Sequence, residues 1–260
     1  MNQFGAKQQW TAFLTIVVKE IRRFLRIWQQ TLLPPVITMV LYFLIFGKLI
    51  GGRIGDMEGF SYIEFIVPGL IMMSVITNSY SNVASSFFSL KFQKSIEEVI
   101  VSPTPNWIVA VSFMMGGILR ALLTGFLVLL VSLLFTDLQV EHALLIFLVM
   151  FMVAWLFSCA GLINAVFAQR FDDISIIPTF VLTPLTYLGG VFYSINLLPD
   201  FWQNLSLVNP VLYMVNAMRY GMLGHSDVPI EVAMGMLLVF DVVIFVFALW
   251  LLRIGKHRQS

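Results

Sequence analysis

Two charged side chains inside long apolar stretches are the clearest candidates for chemistry in this chain. Arg120 lies in the stretch 107–135 and Asp241 in the stretch 232–252. If both stretches are helices that cross a membrane in opposite directions, Arg120 lies about 20 Å from one face and Asp241 about 14 Å from the other. The hydrocarbon core is about 30 Å thick, so the two groups fall near one level. Because an unpaired charge there costs at least about 2.5 kcal/mol, the sequence predicts an intramembrane ion pair, the alternative being that each group meets water separately.

Polar side chains also recur along the stretch 64–88, where they could face a transported molecule. Ser74, Asn78, Ser81 and Ser85 share one face of a helix. Small hydroxyl residues in membrane helices more often allow close helix packing than contact a substrate. Asparagine needs a partner or water at that depth, so the lining of a pathway stays open beside packing.

The sequence offers no set of residues typical of a catalytic, cofactor-binding or metal-binding site. The patterns H-E-x-x-H, G-x-S-x-G and G-x-x-x-x-G-K-[ST] do not occur. His142, His225 and His257 are far apart, which gives no support to a metal site, and Cys159 is the only cysteine. We therefore expect no enzyme activity, no metal and no cofactor, and any ATP must be bound by another subunit.

The composition indicates that lipid surrounds most of the chain. Hydrophobic residues make up 59% of the 260 residues and charged residues 11%, with a mean hydropathy of +0.92, whereas soluble domains carry about 25% charged residues. Six apolar stretches approach the roughly 20 residues that a membrane-crossing helix needs. They cover 32–50, 64–88, 107–135, 143–168, 174–193 and 232–252. The sequence thus predicts an all-α fold, a polytopic membrane protein with six transmembrane helices in a single domain, 1–260. Its net charge of +1 gives no reason to expect nucleic acid as a partner.

Residues 8–30 show the pattern of an amphipathic interfacial helix. Apolar residues recur at helical spacing, while Lys19, Arg22, Arg23 and Arg26 form the opposite stripe. Such a helix lies in the headgroup layer, with its cations toward anionic membrane lipid.

The basic residues predict on which side each loop lies. With six crossings both termini share a side, and that side holds most of the Lys and Arg, so both termini are expected to be cytoplasmic. The segment 194–231 is then external, yet it is rich in aromatic and aliphatic residues. We expect short re-entrant helices there, dipping into the outer leaflet before the last span.

Residues 90–102, between the second and third crossings, are predicted to form a cytoplasmic helix. Apolar residues share one face, and Lys94, Glu97 and Glu98 make a compact mixed-charge surface. This surface suits the docking of a cytoplasmic partner. A solvated linker helix is the alternative, since charge runs are usually solvated.

Two stretches resemble the permeases of the type-2 family of ABC transporters. The first is VPGLIMM from Val67, followed by FFSLKFQKSIEEVIVSPTP from Phe87, and the second is GGVFYSINLLPDFWQNLSLVNPVLYMVNAMRYGMLG from Gly189. In that family a Pro-Gly pair opens the second span, and a glutamate-bearing helix meets the ATPase. A Leu-Pro step and an Asn-Pro-x-x-Tyr stretch then lead to an arginine. The likeness runs in order over most of the chain.

The resemblance implies a permease subunit of an ATP-driven exporter in the bacterial inner membrane. Such a permease forms a homodimer, carries a cytoplasmic ABC ATPase on each protomer and moves a drug, lipid or lipid-linked glycan outward. The resemblance places the ATPase contact on Lys94, Glu97 and Glu98 and on the amphipathic helix with Arg22 and Arg23. A secondary transporter or channel without an ATPase is the alternative, but it would normally show a chain of ionisable groups within its spans.

Overall fold

The computed structural model describes residues 5–95, 104–136 and 140–257, without the side chains of Lys48 and of residues 254–257, and this part of the chain is almost entirely helical. In chain order the helices are α1 (Ala6–Arg26), α2 (Trp28–Thr31), α3 (Leu33–Tyr42), α4 (Gly51–Ile54), α5 (Tyr62–Phe92), α6 (Asn106–Ser132), α7 (Ala143–Phe167), α8 (Asp173–Ile177), α9 (Thr183–Tyr187), α10 (Asp200–Leu207), α11 (Pro210–Leu223) and α12 (Ile230–His257). A short antiparallel hairpin, β1 (Asp56–Met57) with β2 (Phe60–Ser61), precedes α5. The predicted all-α class is confirmed apart from this hairpin.

The described residues contain five helical stretches long and apolar enough to cross a membrane. They are Trp28–Ile54, which joins α2, α3, a π-helical stretch and α4, and then α5, α6, α7 and Ile230–Arg253 of α12. The protein is therefore a multi-pass membrane protein.

The predicted fifth crossing, 174–193, is not among these stretches. It folds as α8, a π-helical turn (Pro178–Leu182) and α9, each five residues long. Together they span about 22 Å, less than the hydrocarbon core of about 30 Å. Proline removes a backbone donor and breaks the regular ladder, which explains the interruption at Pro178 and Pro184. The count of six crossings stays a prediction.

Helix α5 is the centre of the bundle. Of its most apolar window 78% is buried, against 12% for Trp28–Ile54 and 22% for α12. Glycines bring its neighbours close: a Cβ at Gly117 of α6 would lie 2.9 Å from the Ser79 carbonyl oxygen, and one at Gly161 of α7 would lie 2.5 Å from that of Tyr80. Close packing of backbones at small residues is the usual basis of helix association in lipid.

The Pro-Gly pair near the start of α5, Pro68-Gly69, also allows a neighbouring segment to pack closely against this helix. A Cβ at Gly69 would lie 2.8 Å from Val191 Cα, in the loop that follows α9. Glycine at this position therefore allows the loop to pack directly against α5, while Pro68 beside it is accommodated inside the helix.

Contacts between helix ends show the direction of each helix. Helices α5 and α7 end side by side, because Lys91 Nζ donates to the carbonyl oxygens of Val166 (2.6 Å) and Ala168 (2.7 Å). The end of α12 lies beside the start of α6, where Asn106 Nδ2 donates to the Leu252 carbonyl oxygen at 3.3 Å.

Both ends of the described chain lie at one end of the bundle, which we call the terminal end. Trp10 of α1 and Trp107 of α6 line one groove there. Helices α5, α7 and α12 begin at the opposite end, where the His142 backbone N–H donates to the Gly221 carbonyl oxygen at 2.9 Å. The chain between α7 and α12 therefore passes from one end of the bundle to the other.

Helices α10 and α11 occupy the segment 194–231, where short helices were expected. The Asn209 side chain caps α11 by accepting from the Val211 backbone N–H at 3.0 Å, and it donates to the Leu185 carbonyl oxygen at 2.6 Å. The amphipathic helix predicted at 8–30 is also present but ends earlier, at Arg26. Re-entry of α10 and α11 into the membrane stays a prediction.

Candidate functional site: a charged network beside a polar stripe

A charged network joins α1 to α5. Glu20 on α1 is only 1% exposed, and its carboxylate accepts from Ser86 Oγ at 2.6 Å and from Arg23 Nε at 3.1 Å. Arg23 Nη2 donates to Asn82 of α5, to the side-chain oxygen at 2.9 Å and the backbone oxygen at 3.2 Å. A Cβ at Gly116 of α6 would lie 2.6 Å from Glu20 Cβ, so the absence of a side chain there lets α1 approach. The amphipathic helix is thus bound to α5 through hydrogen bonds between Glu20 and Ser86 and between Arg23 and Asn82, while Glu20 and Arg23 form an ion pair within α1.

A second arginine reaches α5 one turn away. Arg120 Nη2 donates to the side-chain oxygen of Asn78 at 3.0 Å and to the Thr31 carbonyl oxygen at 3.2 Å. Thr31 Oγ1 in turn donates to the Phe24 carbonyl oxygen at 2.9 Å. Asn78 therefore has the polar partner that its depth requires.

The predicted ion pair between Arg120 and Asp241 is not formed. Among the described residues, the arginine–carboxylate ion pairs are Arg23–Glu20 and Arg219–Asp227. Asp241 lies near Cys159 of α7 instead, and its Oδ1 atom has no hydrogen-bond partner. Depth along two helices does not fix the direction in which each side chain points around its helix.

The predicted polar face of α5 divides in two. Ser74 and Asn78 are buried, at 3% and 4% exposure, whereas Ser81 and Ser85 are half-buried. Ser81 and Ser85 belong to a stripe of partly or fully exposed residues that recur every four positions along α5. These are Met73, Thr77, Ser81, Ser85 and Ser89. We call these five residues the open stripe.

The open stripe is polar apart from Met73, and every other residue of α5 from Phe65 to Phe88 is buried. The hydroxyls of Thr77, Ser85 and Ser89 donate to the carbonyl oxygens four residues earlier, at 2.7 to 2.9 Å. These bonds lower the cost of placing hydroxyls at membrane depth while leaving their oxygens able to accept.

The residues expected to contact an ATPase fall into three positions. Arg22 is exposed on α1 and Lys94 is exposed in the turn after α5. Arg23 points the other way, into the network with Asn82. Glu97 and Glu98 lie outside the described residues.

The loop after α7 is fixed by its own carboxylate at the terminal end. Asp173 Oδ2 accepts from the backbone N–H groups of Gln169 (2.8 Å) and Arg170 (2.9 Å). These two bonds, with the nearby cations Arg170 and Lys91, hold the pKa of Asp173 below its usual value. The loop beside Lys91 is therefore held in place by Asp173, which carries its negative charge at neutral pH.

Arg219 is completely buried beside α5. Its guanidinium lies 3.9 Å from the centre of the Phe65 ring, and Nη2 donates to the Gly190 carbonyl oxygen at 2.7 Å. Asp227 Oδ2 lies 3.4 Å from Nη1. The arginine that follows the Asn-Pro-x-x-Tyr stretch thus holds α11 against α5 and the loop after α9.

Comparison with known proteins identifies the family of this chain. Residues 11–223 match the family described as ABC-2 type transporter. The chain belongs to the ABC-2 transporter family. It is 57% identical over 251 residues to the inner membrane transport permease YadH of Escherichia coli K12, covering 96% of this chain and 98% of YadH.

More distant relatives of this ABC-2 permease have similar length. Nodulation protein J of Rhizobium leguminosarum bv. viciae is 25% identical over 218 residues, 82% of this chain and 83% of the relative. Nodulation protein J of Rhizobium meliloti is 24% identical over 218 residues, with 82% of each chain covered.

Glu20 is the central residue that the sequence pattern did not reveal. It is the only carboxylate among the cations of α1 and lies three residues before Arg23, a spacing that places both side chains on one helix face. That spacing was the available signal, but it could not show that this face is buried.

Proposed function

We propose that this chain is the membrane-spanning subunit of an ATP-driven ABC exporter. It moves an amphipathic or hydrophobic substrate, such as a drug, a lipid or a lipid-linked glycan, outward across the bacterial inner membrane. The observation that supports this function is the open stripe on α5. Hydroxyl groups exposed on the surface of the protomer at membrane depth need a polar or closely packed neighbour, since lipid tails offer no hydrogen bonds.

A homodimer supplies that neighbour. In the proposed assembly the open stripes of two copies face a shared route, with Thr77 as its most exposed polar residue. Ser81 and Ser85 keep the role suggested by the sequence, while Ser74 and Asn78 serve the packing of α5 and the binding of Arg120.

ATP hydrolysis comes from a separate cytoplasmic ABC ATPase, because this chain has no phosphate-binding loop of its own. In the proposed complex the ATPase docks on the terminal end, on Arg22, Lys94, Glu97 and Glu98. Arg23 acts on the inner side of the same helix, where it passes movement of α1 to α5 through Asn82.

The proposed topology has six crossings, with both termini in the cytoplasm. Its support is that both ends of the described chain lie at the terminal end, while the chain between α7 and α12 passes to the other end. Helices α10 and α11 then form the external re-entrant cover, and the exposed cations of α1 lie among anionic headgroups.

Purification of the tagged chain from native membranes tests the assembly. We expect an ABC ATPase to co-purify with it, with two copies of each subunit. After reconstitution in lipid vesicles, amphipathic compounds or lipid-linked glycans should stimulate ATP hydrolysis. A monomeric permease to which no ATPase binds would refute the proposal and favour a channel or secondary transporter.

Single-cysteine labelling tests the route. Thr77→Cys and Ser81→Cys should crosslink between protomers or react with a polar maleimide, whereas Ser79→Cys, on the buried face of the same helix, should do neither. The native Cys159 is fully buried, so the unmodified chain serves as the background. Equal reactivity at residues 77 and 79 would show that the open stripe does not line the route.

A further inference from the structure

Three chain segments meet at the end of the bundle opposite the terminal end. Glu58 is in the hairpin before α5, while His225 and Asp227 follow α11. One ligand atom from each of these three side chains lies within 4.8 Å of the other two. Their distance along the chain explains why histidine spacing in the sequence gave no sign of this cluster.

The imidazole of His225 lacks a partner in this cluster. Its Nε2 atom is buried from solvent and accepts or donates no hydrogen bond, although Glu58 Oε2 lies 3.8 Å away. That separation is too long for a hydrogen bond, and a buried polar nitrogen without a partner is destabilising. Binding of a further group to Nε2 would therefore stabilise the site.

The Glu58 carboxylate is also only partly satisfied, whereas Asp227 accepts from Ser194, Asn196, Ile195 and Arg219. Ser194 Oγ lies 3.0 Å from Glu58 Oε1 and 2.9 Å from Asp227 Oδ1, but a hydroxyl has one proton to donate. Glu58 Oε2 faces His225 with no other partner among the hydrogen bonds of the described residues. The cluster thus combines a free imidazole nitrogen with carboxylate oxygens that can accept a cation.

Among the described residues, Arg219 is the arginine that contacts the cluster. It lies beside Asp227 Oδ2, which also accepts from the Ile195 backbone N–H at 3.2 Å. Oδ1 accepts from Ser194 Oγ at 2.9 Å and from Asn196 Nδ2 at 3.4 Å. With a neutral imidazole, the charges of Glu58, Asp227 and Arg219 sum to one negative charge, which favours a divalent cation over an anion.

We propose that Glu58, His225 and Asp227 form an external binding site for a divalent transition metal of the zinc type. His225 Nε2 and one oxygen from each carboxylate are the protein ligands, and water completes the coordination, as is usual for Zn²⁺ with three protein ligands. The imidazole selects against Mg²⁺ and Ca²⁺, which prefer oxygen ligands alone. Ser194, which contacts both carboxylates, orients them from outside the coordination sphere.

The bound metal links parts of the chain that lead into different spans. The hairpin with Glu58 leads into α5, and the turn with His225 and Asp227 leads into α12. Binding therefore stabilises the contact between these two segments at the external end.

Zinc titration of the purified chain in detergent, stripped with chelator and free of any histidine tag, tests the site. Calorimetry should show one saturable Zn²⁺ site per protomer and no comparable site for Mg²⁺. Ser194→Ala should weaken binding by about 10- to 100-fold, the usual effect of removing a group that orients ligands. His225→Ala should abolish the site.

Two other histidines provide matched controls. His142, whose ring stacks on Tyr220 at 5.6 Å, and His257 are outside the cluster, so His142→Ala and His257→Ala should bind Zn²⁺ as the wild type does. Zn²⁺ should also raise the melting temperature of the wild type and not that of Glu58→Gln, a change in a loop residue that leaves the fold intact. Absence of a saturable site, or its survival in both His225→Ala and Glu58→Gln, would overturn the proposal.

Discussion

Arg23 and Asn82, 59 residues apart in the chain, are joined by two hydrogen bonds, at 2.9 Å and 3.2 Å. Arg120 binds Asn78, one turn earlier on the same helix, at 3.0 Å. Helix α5 therefore accepts guanidinium groups from both α1 and α6 on one side and carries the open stripe on another. A displacement of α1 has a direct route to the helix that we place beside the substrate.

Asn82→Ala should destabilise the protein and weaken coupling to ATP hydrolysis. The change removes the side-chain hydrogen bond to a charged donor and keeps the one to the backbone oxygen. Because Arg23 is 27% exposed, water offsets part of the loss. We expect about 1 to 2 kcal/mol, seen as a melting temperature in detergent lower by a few degrees. The matched control is Arg22→Gln on the exposed face of α1, which should change stability by less than about 0.5 kcal/mol. Equal effects of the two changes would contradict a role for the network.

Arg120→Gln and Asp241→Asn should act independently. The two side chains do not pair and have no partner in common, so their effects on unfolding free energy should add to within about 0.5 kcal/mol. Asn78→Ala combined with Arg120→Gln should instead show a coupling of about 0.5 to 3 kcal/mol. Both double-mutant cycles can be measured by unfolding in mixed micelles. A larger coupling for Arg120 with Asp241 than for Arg120 with Asn78 would instead support the ion pair that the sequence predicted.

Gly117→Ala should strongly impair packing of the bundle. The new Cβ would lie 2.5 Å from Val83 Cγ2 and 2.9 Å from the Ser79 backbone oxygen, and such overpacking costs about 1 to 3 kcal/mol. Gly235→Ala on α12 is the control, because a Cβ there meets nothing within 4 Å and alanine favours a helix by up to about 1 kcal/mol. Thermal melting should therefore move in opposite directions for the two variants, and a loss of stability in Gly235→Ala equal to that in Gly117→Ala would count against this packing.

Lys91→Met should loosen the terminal ends of α5 and α7. Lys91 Nζ donates to two carbonyl oxygens at the end of α7, where a cation also interacts favourably with the helix dipole. Loss of these charge-assisted bonds should cost about 1.5 to 3 kcal/mol. Hydrogen exchange should rise at Asn164 to Ala168 while α6 is unaffected. Lys94→Met, which changes an exposed lysine of the following turn, should leave exchange in α7 unchanged.

Sequence patterns alone identified the helical class and most of the crossings. Apolar length and the stripe of cations on α1 are properties of single helices, and each follows from the periodicity of the chain. Helices α5, α6 and α7 differ from their predicted bounds by only a few residues. The same patterns marked Asn78, Ser81 and Ser85 as polar residues that needed an explanation.

Only the tertiary structure decided which polar groups meet. The depths predicted from the sequence were similar for Arg120 and Asp241. In the structure, however, the face of α6 that carries Arg120 is oriented toward Asn78. Glu20 meets its hydrogen-bond partner Ser86, and His225 lies near Glu58, in segments distant in the chain. Contact between helices depends on azimuth and neighbour order, and these are set by the packing of many side chains at once. A single helix's periodicity gives its faces, whereas the neighbour on each face is a property of the bundle.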